Sequence, residues 1–87
     1  MANANSWEET LTGSKTERTQ YDFTLKEFSD GTPWIMMEKI GPGLEVLRNG
    51  FVGFDLKAGT SLEEATHLAA LLRRSISTVS YTSFEKR

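Results

Sequence analysis

The chain has 87 residues, of which 38% are hydrophobic and 25% charged, with 10 Lys and Arg against 12 Asp and Glu and no cysteine. Such a length allows one domain with a modest core, burying about 60–65% of the surface that the unfolded chain exposes. The missing cysteines exclude disulfides, thiolate metal sites and thiol nucleophiles, and a formal net charge of −2 argues against general nucleic-acid binding.

No apolar run approaches the roughly 20 residues needed to span a bilayer. The start, Met1-Ala2-Asn3-Ala4-Asn5-Ser6, has neither the basic opening nor the apolar stretch of a secretory signal. A soluble, cytoplasmic chain without membrane contact is the expectation.

Residues 1–18 are mostly small or polar, with Trp7 and Leu11 the only large apolar side chains. Ser6 lies three before Glu9, the spacing of a capping box. That spacing allows a single docked turn, but a flexible N-terminal segment is expected. The ordered domain is then 19–87. In "QYDFTLKEF", Tyr21, Phe23 and Leu25 alternate with Asp22, Thr24 and Lys26, the period of a strand with one buried and one wet face. Asp30-Gly31 suits a tight turn, and "PWIMMEKI" from Pro33 to Ile40 supplies the returning strand. "GPG" at 41–43 breaks the sheet pattern, and "LEVLR" reads as a short strand or as a loop with buried leucines. Asn49-Gly50 is a second hairpin signal, and "FVGFDLK" at 51–57 reads as a strand.

A helix is predicted over 61–79. Thr60 and Ser61 stand three before Glu63 and Glu64, offering two overlapping capping boxes. Leu62, Ala65, Leu68, Ala69, Leu72, Ile76 and Val79 share an arc of about 120°. After Val79 the period fails, and "SYTSFEKR" is either a short strand or an irregular tail. The fold class is α+β: an antiparallel meander of three to four strands with one C-terminal amphipathic helix on one face.

Chemistry finds few footholds. Lys57, Gly59, Thr60 and Ser61 lie between strand and helix, where free N–H groups and the helix dipole attract anions. P-loop spacing is absent, however, and Glu63 and Glu64 already supply negative charge there. His67, the only histidine, follows Glu63 by four on a face directed away from the core, too few ligands for a metal. The serines lack a GxSxG elbow or a partner base. Glu8-Glu9 and Glu63-Glu64 are neighbours that diverge on their backbone. No enzyme, cofactor or metal is expected. Basic residues Lys26, Lys57, Arg73, Arg74, Lys86 and Arg87, with Tyr21, Phe51 and Tyr81, are the material for a nucleic-acid site, but "RNGFVGFDL" does not meet the RNA-recognition signature.

What remains is an excess of apolar residues. In strand 33–40, Trp34, Met36 and Ile40 alternate with Ile35 and Met37, so large side chains stand on both sides. One helix can cover only one of them. Leu71 sits about 100° from the centre of the helix's apolar arc. The expectation is a non-catalytic interaction module, self-associating as a homodimer through the uncovered sheet face. Its contact residues are Trp34, Ile35, Met36, Met37 and Leu71, subject to which side of the strand is free. The alternatives are a binder of a small anion at 57–61 and an accessory nucleic-acid binder.

Overall fold

The structure, a computed structural model, describes residues 14–84. The capping box at Ser6 and the cations Lys86 and Arg87 lie outside that range. Strand β1 (Ser14–Thr19) runs through Gln20 into β2 (Tyr21–Glu27), and β3 (Pro33–Lys39) returns beside it. A 3₁₀ turn at Glu45–Leu47 leads to β4 (Val52–Asp55), then helix α1 (Leu62–Ser75) and β5 (Val79–Phe84). The three-stranded sheet has the order β2-β3-β4, and β1 pairs with β5 in a two-stranded ribbon. All pairings are antiparallel. The fold is α+β, as its sequence pattern predicts.

The β2–β3 hairpin turns at Asp30-Gly31. Phe28 N–H donates to Thr32 O at 2.9 Å, and Asp30 Oδ1 accepts from Thr32 N–H at 2.9 Å. Gly31 has φ 88°, a region that side-chain-bearing residues avoid. The second glycine signal plays a different part. Asn49-Gly50 does not make a hairpin turn. Gly50 N–H instead donates to Leu47 O at 3.1 Å and closes the 3₁₀ turn. "LEVLR" is thus a loop that buries Leu44, held where Leu44 N–H donates to Tyr21 Oη at 2.8 Å.

Register sorts the side chains. Phe23 faces Met37 and Leu25 faces Ile35, while Ile35 faces Phe54 and Met37 faces Val52. Residues directly opposite share a face, so Tyr21, Phe23, Leu25, Ile35, Met37, Val52 and Phe54 point one way. Helix α1 lies on that side over β2 and β3. Its Ala65 and Ala69 are fully covered, and small side chains there let the backbone approach the sheet. Phe23 and Ile35 are the largest side chains closed off completely, each stabilising the fold by about 1.5–3 kcal/mol through burial.

Two boundaries differ from the sequence reading. Residues 14–18, assigned to the flexible segment, form most of β1, because β5 supplies backbone partners from Ser14↔Phe84 to Thr19↔Val79. β1 itself, SKTERT, holds no apolar residue, so nothing in its own composition marks it. The helix ends at Ser75 rather than 79: Ile76 is already extended, with φ −100° and ψ 123°. Ile76, Thr78 and Val79 are β-branched and suit the strand that follows. The "VSYTSF" segment is that strand. No helix among the described residues is long and apolar enough to cross a membrane.

Candidate functional site

The strand-to-helix turn is closed on itself. Ser61 Oγ accepts from Glu64 N–H at 3.1 Å, and Glu64 Oε1 accepts from Ser61 N–H at 2.9 Å, a reciprocal capping box. Thr60 donates both its N–H, at 3.1 Å, and its hydroxyl, at 2.7 Å, to Lys57 O. The Glu64 carboxyl is held below its ordinary value of 4.5 by the Ser61 backbone N–H and then the Ser61 hydroxyl. Lys57, Gly59, Thr60 and Ser61 are therefore brought together, but their hydroxyls are engaged and the adjoining charge is negative.

His67 lies exposed on α1. Among the described residues no group of three His, Cys, Asp or Glu side chains is arranged to hold a metal ion. A cleft of about 510 Å³ between the 3₁₀ turn and β3 is lined by residues including Glu38, Lys39, Arg48 and Phe51. Arg48 Nη1 is ion-paired with Glu45 at 2.8 Å.

The other face of the sheet carries the more distinctive arrangement. The five residues expected at a contact divide into three places. Ile35 and Met37 are core. Trp34 and Met36 stand half-buried on the uncovered face, and Leu71 is exposed on the outer side of α1, remote from both. Trp34 is the centre of a row: its ring lies 5.6 Å from that of Phe28, 20° from parallel, and 5.9 Å from that of Phe51, 28° from parallel. Such stacked pairs contribute about 0.5–1.5 kcal/mol each beyond their burial. Phe28 and Phe51 remain 49% and 59% exposed, so the row crosses the sheet with its outer surface bare.

Gly53 makes this geometry feasible. It sits opposite Met36, on the same face as Trp34. A Cβ there would stand 3.0 Å from Trp34 Cζ3 and 3.1 Å from Cε3. The indole occupies the space that a side chain would need, which lets it span from β3 toward Phe51. A tryptophan diagonal to a strand glycine covers the backbone that the glycine leaves bare, a signal that can be read only once the β3–β4 register is known. Phe28 carried no such signal, because it follows the last residue of β2.

A second apolar surface lies on the helix side. Phe54, Leu68, Leu72, Ile76 and Val79 wall a groove of about 440 Å³, floored by Phe23, Ile35 and Met37. The sequence expectation put the whole apolar arc of the helix inward. Leu62, Leu68 and Ile76 are 49%, 37% and 37% exposed, because α1 crosses β2 and β3 and leaves β4 beside it uncovered. Comparison with known protein families, with curated proteins and with solved structures gives no match for this chain.

Proposed function

We propose that the protein is a non-catalytic interaction module that self-associates, with the aromatic row of the uncovered sheet face at the contact. The observation that carries this reading is the bare stack of Phe28, Trp34 and Phe51, joined by Met36. Exposed single apolar residues are ordinary, whereas a contiguous aromatic surface on a small chain calls for a cover. Aromatic side chains and methionine are the residues enriched at protein contacts, since they offer large area at low conformational cost.

Charge favours a protein partner over a nucleic acid. Asp22, Glu38 and Asp55 share the uncovered face with Lys26 as the one cation among the strand residues there. Thr24 Oγ1 donates to Glu38 Oε1 at 2.6 Å, fixing that carboxylate beside Met36. Phosphate binding needs the opposite balance.

A dilution series followed by amide and side-chain chemical shifts tests the reading. The expected changes concentrate at Phe28, the Trp34 indole, Met36 and Phe51. Spectra that do not alter over a roughly hundredfold range of concentration about the micromolar dissociation constants of weak complexes would remove it.

A further inference from the structure

The two apolar surfaces meet at one place, the outer edge of β4. Hydrogen-bond alternation tells which backbone groups stand free there. Phe28 N–H donates to Thr32 O and Ile40 N–H to Gln20 O, so even-numbered residues of β3 turn their amides toward β2 and odd-numbered ones toward β4. With Ile35 opposite Phe54 and Met37 opposite Val52, Val52 and Phe54 bond inward. Gly53 and Asp55 direct their N–H and C=O outward, where no strand among the described residues pairs with them.

Edge strands in folded proteins are ordinarily guarded by charge, proline, a bulge or a cover. The opposite edge of this sheet is guarded: Arg73 Nη1 donates to Phe23 O at 2.7 Å, closing an outward carbonyl of β2. Among the described residues the β4 edge has no such guard over Val52-Gly53-Phe54. Phe51, 59% exposed, flanks it on one face of the sheet, and Phe54, 39% exposed, flanks it on the other.

Resting on the reading that the chain self-associates, we infer that two copies pair along their β4 edges, antiparallel about a two-fold axis at Gly53, into one six-stranded sheet. The register follows from the outward groups. Gly53 of each copy exchanges N–H···O bonds with Gly53 of the other, and Phe51 stands opposite Asp55 of the other copy. On the helix side, Phe54 comes opposite Val52 of the second copy, which gives the groove at Leu68 and Ile76 its missing wall. On the other side, glycine faces glycine, leaving room for both Trp34 indoles. Like charges are nowhere opposed, since Asp55 meets Phe51. The pairing is isologous and closes.

Phe51, Phe54, Leu68 and Ile76 together leave on the order of 300 Å² open, against about 800 Å² per copy in a standard interface. The backbone edge supplies part of the rest, and the association belongs to the weak, concentration-dependent end of the range.

Amide hydrogen exchange on the full chain, above and below the association midpoint, reads the parity directly. Gly53 and Asp55 amides are expected to slow by about tenfold or more on association, and those of Val52 and Phe54, already bonded to β3, to change little. Phe54→Ser is expected to raise the dimer dissociation constant about tenfold or more, and Val46→Ser, exposed on the 3₁₀ turn beside the β1–β5 ribbon, to leave it unchanged. Circular dichroism of both variants checks that the fold is retained, and the wild-type exchange pattern stands without them. A dimer whose Gly53 and Asp55 amides exchange alike at both concentrations, and which is indifferent to Phe54→Ser, overturns the edge pairing but leaves self-association through the aromatic face. A chain that stays monomeric overturns both.

Discussion

The two faces of the β2-β3-β4 sheet are built from the same strand, yet they do opposite work. Ile35 is 0% exposed and Met37 5%, while Trp34 and Met36, one residue away in each case, stand on the uncovered side among carboxylates. One face solves its exposure with α1, whose Ala65 and Ala69 bring the helix close. The other has no covering element among the described residues and stacks Phe28, Trp34 and Phe51 on one another instead. Stacking hides ring faces from water only in pairs, and the outer edges stay wet. Apolar residues on the covered face thus mark stability, and those on the uncovered face are the material of the proposed contact.

Mutations should separate the two faces by size of effect. Phe23→Ala on the covered face is expected to cost about 3–5 kcal/mol, through lost burial and the cavity left behind, measured by urea unfolding. Ala69→Leu, which forces added volume between helix and sheet, should cost about 1–3 kcal/mol. Ser61→Ala removes one half of the capping box and should cost about 1 kcal/mol. Phe28→Ser on the uncovered face, which gives up the stack on Trp34, should lower monomer stability by only about 0.5–1.5 kcal/mol. A loss at Phe28 as large as that at Phe23 would erase the distinction between the faces.

The capping box also has a pH signature. Glu64 titrates below its ordinary 4.5 in the folded chain, so its contribution is fully present above that value and is lost as pH falls through the depressed one. In Ser61→Ala the Glu64 titration, followed by carboxyl chemical shift, should rise only part of the way, since the Ser61 backbone N–H that does most of the lowering remains. Asp30, lowered chiefly by the Thr32 backbone N–H, should titrate unchanged in that variant and serves as the control.

Much of the fold was legible because local pattern and tertiary need coincide. Tyr21, Phe23 and Leu25 alternate, Asp30-Gly31 turns, and Ser61 with Glu64 starts the helix, each within a few residues. β1 was not legible, since its partner β5 is far away in the chain, from Thr19↔Val79 outward, and β1 has no apolar residue of its own. The end of α1 was misjudged because Ile76 and Val79 keep helical spacing while their β-branching favours the strand. For the candidate surface, the surplus of apolar residues in strand 33–40 could be counted, but which half was surplus depends on register. Register placed Trp34 outward, Ile35 and Met37 inward, and Leu71 on a third surface. The row itself needed Phe28 and Phe51, which come from beyond the strand ends.

Sedimentation of the wild-type chain from low to high micromolar concentration tests the central claim most directly. The account expects the mass to rise from 9.8 kDa toward twice that value as concentration increases. A mass fixed at 9.8 kDa throughout would contradict it.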